Sequence, residues 1–214
     1  QLGIPVSFAG IVIENAQGMF FENCDISGGN GYAGGDGFVI KNSEAVYFDA
    51  CISDTLGGVG FVFENTWYVY LVAVVSSLCH RGGMTMTGCK FVNGTNVIMA
   101  GRSYLPDKVA GADGIKVTSS DQIVMTSLSV RFNTGNGITV DSSSVTTWNT
   151  NHLFQNTGKG IQETGSNLSA NLFLDCTFNS NGSNYQIVSP SSHVCNALLH
   201  SGSFQTNQAG PASF

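Results

Sequence analysis

The sequence predicts an all-β chain, a single-stranded right-handed parallel β-helix (solenoid) of roughly eight to nine coils, about 23 residues per coil. Three observations predict it. A glycine-led phrase returns at a nearly fixed interval, apolar residues alternate with period two inside each copy, and the composition favours turns over charge.

The phrase Gly10-Ile11-Val12-Ile13-Glu14-Asn15 returns as Gly37-Phe38-Val39-Ile40-Lys41-Asn42 and Gly60-Phe61-Val62-Phe63-Glu64-Asn65. It returns again at Gly114-Ile115-Lys116-Val117, Gly137-Ile138-Thr139-Val140 and Gly160-Ile161-Gln162, with a degraded copy at Asn184-Tyr185-Gln186-Ile187. Neighbouring copies are 27 and 23 residues apart in the first half, and 23, 23 and 24 apart in the second. The turn before the glycine repeats too, Asn133-Thr134-Gly135-Asn136 recurring as Asn156-Thr157-Gly158-Lys159. A fixed period of this size marks a stack of supersecondary units.

Within each copy the first strand turns Ile11 and Ile13, Phe38 and Ile40, Phe61 and Phe63 to one side, the period-two signature of a strand. A second strand follows about nine residues after the glycine (Met19 and Phe21, Val46 and Phe48, Val69 and Leu71, Ile123 and Met125), and a third inward position falls at Cys24, Cys51, Val74 and Leu128. Residues one coil apart then stack at the ~4.8 Å of parallel neighbours. Asn15, Asn42 and Asn65, continued by Ser119 and Ser142, form a corner column suited to an amide ladder. Glu14, Lys41 and Glu64 alternate in sign up a structural ladder. Cys24, Cys51, Cys89 and Cys176 read as small buried hydrophobes carrying free thiols, because stacked positions lie too far apart for relaxed disulfides; Cys79 and Cys195 have no assigned place. Residues 83–113 fit the period poorly and read as an irregular coil plus a loop around Tyr104-Leu105-Pro106-Asp107.

Residues 1–214 read as a single β-helix domain cut from a longer chain, since the start has neither an initiating Met nor a basic signal region. Charged residues make up only 10% of the chain, and the net charge is −6 with eight Lys and Arg scattered from Lys41 to Lys159. That excludes nucleic acid, whose phosphates require clustered cations. The longest apolar run, Trp67 to Val75, is too short to cross a membrane, so no membrane insertion is expected. The histidines lack metal-ligand spacing, so no metal is expected.

The stretches 37–54 (GFVIKNSEAVYFDACISD) and 114–130 (GIKVTSSDQIVMTSLSV) resemble the right-handed β-helix repeat of the pectate-lyase-like superfamily, and most of all bacteriophage tailspike and tail-fibre β-helix domains. The resemblance covers nearly the whole chain. It implies a virion tail or extracellular protein, a homotrimer alongside other virion proteins, that recognises polysaccharide on a host cell surface, with cleavage of that polysaccharide left open. A secreted polysaccharide hydrolase or lyase and a non-catalytic structural virion component stay open beside it, since a repeat fixes fold better than function. Ala112-Asp113-Gly114-Ile115 is similar to the Asn-Thr-Asp-Gly-Ile element of polygalacturonases, whose Asp is catalytic. That family's following coils carry an Asp-Asp pair and Gly-His-Gly, where this sequence has Asn136-Gly137 and Gly158-Lys159-Gly160. Polygalacturonase chemistry is therefore not implied, and Asp113, like Asp36, reads as an Asp-Gly turn residue. The superfamily's lyases use calcium; no calcium-loop spacing is present, and no cofactor is expected.

The outward columns supply the candidate sites. Phe20, Tyr47 and Tyr70 occupy one outward place on three successive coils, with Trp67 and Tyr68 beside them. Their rings suit either a sugar platform or a subunit interface. Two residues further along, Glu22 and Asp49 stack on adjacent coils, and two carboxylates about 5 Å apart match the spacing of retaining glycosidases. They are the candidate catalytic pair. Val12, Val39 and Val62 are outward and apolar where the later coils carry Lys116, Thr139 and Gln162, so a neighbouring subunit is expected over the first half.

Overall fold

A computed structural model describes residues 10–28, 34–103, 109–199 and 205–206. All strand pairs are parallel, each strand lying on its counterpart one coil earlier, as the repeat predicts. Sheet A contains nine strands, beginning with Ile11–Glu14, Phe38–Lys41 and Val59–Glu64 and ending at Gln205–Thr206, so eight turns separate the first from the last. Its register carries Ile11 onto Phe38, Phe38 onto Phe61, Phe61 onto Met84, Met84 onto Ile115 and Ile115 onto Ile138. Sheet B collects the second and third strands of each coil. At Asp121–Arg131 and Ser144–Phe154 these merge into single eleven-residue strands.

Each coil turns its corners on single residues in the left-handed region. Asn15, Asn42, Asn65, Ser119 and Ser142 hold one corner at φ between 47° and 56°, and Gly88 and Gly165 complete the column. Asn23, Ala50, Ala73, Asn96, Ser127, Thr150 and Asp175 hold the next. Asn is among the non-glycine residues that tolerate this conformation best, because its short amide offsets the local steric cost. Conformation is thus the first reason for the asparagine column. The expected amide ladder reduces, among the described residues, to one rung, Asn65 Nδ2 donating to Asn42 Oδ1 at 3.3 Å.

Phenylalanines fill the early coils: Phe38 stacks on Phe61 at 5.0 Å, and Phe48 meets Phe38 edge-on at 5.2 Å, both ring arrangements that add to simple area burial. All six cysteines are unpaired, and four of them are buried. Cys24, Cys51 and Cys176 share the inward column expected for them, each following a left-handed corner residue. Cys89 departs from it: the residue follows Gly88 and stands in a different column, its backbone N donating to Ser120 Oγ at 3.0 Å. Burial pushes the thiols of Cys89 and Cys176 up to about 11.

Two further features escaped the sequence reading. The strands within 83–113 are regular, Met84 pairing with Phe61 and Ile115 and Val92 with Val69 and Ile123. The extra length is therefore confined to the turn after Ala100; the loop at Tyr104 to Asp107 lies outside the described residues. The second feature is a buried asparagine ladder: Asn133 Nδ2 donates to Asn156 Oδ1, and Asn156 Nδ2 to Asn181 Oδ1, both at 2.9 Å. The same oxygens accept the backbone N–H of Asn133 and Asn156, satisfying a buried turn that sheet pairing does not reach. The repeated Asn-Thr-Gly phrase was its visible signal.

Candidate functional site

The candidate residues lie on the outer face of sheet B, where register brings the expected columns together. Phe20 pairs with Tyr47 and Tyr47 with Tyr70, while Glu22 pairs with Asp49. Phe20 is 63% exposed and Tyr47 40%. Trp67 and Tyr68, at the start of the same strand as Tyr70, are also exposed.

The ring geometry determines what the column presents. Tyr47 and Tyr70 stack at 4.6 Å with their planes 7° apart, and Phe20 tilts against Tyr47 at 6.3 Å. Rings stacked along the solenoid axis cover one another's faces and turn their edges and hydroxyls to solvent. Tyr68 is consumed in the same way, stacked on Phe91 at 4.8 Å. Trp67 differs: its neighbour is the Lys90 ammonium, 5.8 Å from the ring centroid. The phenol stack ends at Tyr70, where a hollow of about 250 Å³ opens, bordered by Asn93, Gly94 and Val124.

The carboxylates of Glu22 and Asp49 stand on adjacent coils at one edge of this face, Glu22 exposed and Asp49 half-buried. The column above continues as Val72, Thr95 and Thr126, so the pair has no third carboxylate. Asp113 lies on a different face. Its Oδ1 accepts the Asn136 backbone N–H at 2.7 Å and its Oδ2 the Thr139 hydroxyl at 2.8 Å, while Asp36 Oδ1 accepts the Val59 N–H at 2.7 Å. These are equivalent turn-bridging contacts, which explains the Asp-Gly pattern structurally. Burial raises the Asp113 carboxyl above its ordinary range, opposed by the Asn136 and Thr139 hydrogen bonds and by Lys116.

The outer face of sheet A overturns the argument for a covering subunit. Val39 and Val62 are 6% and 8% exposed within the chain alone, while Val12, in the same column, is 54% exposed. Thr139 in the second half is equally buried, at 6%. The contrast between valines and polar residues therefore reflects cover from the chain itself. On the charged column, Lys41 Nζ reaches Glu64 Oε2 at 3.0 Å, one rung of the expected ladder. Among the described residues no three His, Cys, Asp or Glu side chains cluster as a metal site, and no helix is long and apolar enough to cross a membrane.

Comparison with solved structures finds the same architecture in proteins of different activities. The full-length tailspike protein 2 (TSP2, ORF211) from Escherichia coli O157:H7 bacteriophage CAB120 superposes with a TM-score of 0.70 at 18% identity, over 82% of this chain and 25% of that one. The periplasmic alginate epimerase AlgG gives 0.64 at 14% identity, over 87% of this chain and 49% of that one. DFA-IIIase from Arthrobacter chlorophenolicus A6 gives 0.50 at 13% identity, over 90% of this chain and 50% of that one. This chain thus spans a quarter to a half of these three structures, and identities this low establish the fold alone. No curated protein matches the sequence. The family model described as the right handed beta helix region matches residues 9–204, and with the parallel register running through those coils the chain belongs to the right-handed β-helix family.

Proposed function

We propose that this chain is the β-helix portion of a bacteriophage tailspike or tail-fibre type protein, working outside the cell on the virion tail and attaching to host cell-surface polysaccharide through the outer face of sheet B. The observation that carries the reading is the outward column of Phe20 and Tyr47, both exposed, and the half-buried Tyr70, continuous over three coils, with Trp67 and Tyr68 exposed on the same face. Phenol hydroxyls and ring edges, repeated once per coil, offer a periodic array of polar and apolar contacts to a periodic ligand. The likeness to a phage tailspike and to an alginate epimerase supports a glycan as that ligand. In this reading the chain is a homotrimer packed along its long axis with other virion proteins at its ends.

Calorimetric titration with polysaccharide extracted from host envelopes tests attachment. Binding is expected, and the Tyr47→Ala/Tyr70→Ala double variant is expected to weaken it at least tenfold. A purely structural virion component gives no heat with any envelope polysaccharide.

A second reading, hydrolysis, is favoured by Glu22 and Asp49 standing side by side at the edge of the ring column. One carboxyl would protonate the leaving oxygen as the other attacks the anomeric carbon, and water deprotonated by the first carboxylate would then displace the second and free the new reducing end. Release of reducing ends from the polysaccharide, lost in both Glu22→Gln and Asp49→Asn, supports it; unchanged release in either variant overturns it.

A further inference from the structure

A groove of about 690 Å³ runs along the corner where sheet A turns into sheet B, beside the ring column and separate from it. One wall is the amide column of Asn15, Asn42 and Asn65; the other is the outward column in which Gln17, Glu44, Trp67 and Lys90 follow one another coil by coil. The groove thus spans four coils, about 14 Å at ~4.8 Å per parallel strand. Gly88 removes the amide at its upper end, where Lys90 sits over the indole.

Three properties of the lining select a ligand. The amides recur once per coil, a rise close to the length of one pyranose along an extended chain, and beyond the Asn65–Asn42 hydrogen bond each keeps at least one donor and one acceptor site for hydroxyls. Trp67 is the exposed ring on this face whose neighbour is a cation instead of another ring, and it is 46% exposed. Charge in the groove is balanced, one Glu44 against one Lys90, and the nearby Lys41 is held by Glu64 at 3.0 Å. An acidic glycan finds no uncommitted cluster of cations here. We infer that the groove is a subsite for a neutral, unbranched hexose chain of about four sugars lying along the solenoid axis, packed against the exposed side chain of Trp67 and hydrogen-bonded by the Asn15–Asn42–Asn65 column. The inference rests on the glycan-attachment reading and names its substrate class.

The chain contains two tryptophans, which makes the test selective. Trp148 is fully buried with its Nε1 donating to Thr146 Oγ1 at 2.8 Å, so iodide quenching of native fluorescence reports on Trp67. Cellotetraose, maltotetraose, laminaritetraose and mannotetraose are titrated, with tetragalacturonate as the acidic counterpart. At least one neutral tetramer is expected to lower the quenching constant of Trp67 threefold or more. The Asn42→Gly/Asn65→Gly variant is expected to raise its half-saturation concentration about tenfold. Glycine keeps the left-handed corner, as Gly88 already does in the same column, so folding is preserved. Protection by tetragalacturonate alone overturns the neutral class, and protection unchanged in the glycine variant overturns the amide column. If envelope polysaccharide binds by calorimetry while no tetramer protects Trp67, the groove inference fails and the attachment reading stands. If nothing binds in either experiment, both fail.

Discussion

Asp113 shows how a single side chain in this fold couples structure to pH. Its carboxyl bridges two coils through the Asn136 N–H and the Thr139 hydroxyl, and burial raises its pKa above the ordinary 3.8. As pH rises past that value the unfolded chain loses the proton first, while the folded chain still holds it. With more protons bound in the folded state, stability falls with rising pH until the folded-state carboxyl has also ionised, and then levels. Asp113→Asn removes this slope and keeps an acceptor for the Asn136 N–H. Urea unfolding from pH 3.5 upward is therefore expected to show the advantage of wild type over the variant shrinking through that window. Parallel curves for the two proteins would exclude Asp113 as the titrating group. The sequence marked Asp113 correctly as an Asp-Gly turn residue, but its partners lie one coil away and became visible only with the register.

At the scale of the element, the corner residues decide how well a coil closes. Asparagine, serine and glycine dominate the corner between the sheets, and the repeat made that column legible in advance. A further left-handed position, near the start of the sheet B strand, was not legible, because Ala45, Tyr68, Phe91, Gln122 and Val145 share no residue preference. Val145 is the most costly of these on steric grounds, a β-branched residue at φ 52° with a side chain 49% exposed. Val145→Asn relieves that conformation and sacrifices little burial. It is expected to stabilise the protein by about 1 kcal/mol, seen as a higher urea midpoint with an unchanged slope. A lower midpoint would show that the valine packs to better effect than its exposure indicates.

For the whole molecule, each coil touches chiefly its neighbours, so stability is close to a sum of local interfaces. A turn can then lengthen without disturbing the stack. Gly83 to Gly114 spans 31 residues where the regular coils span 23, yet the strands on either side keep register. Deleting the surplus eight residues, 103–110, restores the common spacing. Loop-closure entropy changes only slowly with length, so the deletion is expected to shift stability by no more than about 1 kcal/mol. Circular dichroism and thermal melting check it; loss of the β-sheet spectrum would mean that this turn holds neighbouring coils together.

Sequence by itself determined the solenoid, its period, its inward columns and the alignment of Phe20 with Tyr47 and Tyr70, because a one-coil repeat forces equivalent residues into vertical register. Tertiary structure decided what those columns present to a ligand. Stacking along the axis hides the tyrosine faces, the chain's own cover buries Val39 and Val62, and the groove beside Trp67 exists only where two sheets meet at a corner. Those outcomes depend on side-chain orientation and on neighbours across coils, which a linear period does not encode.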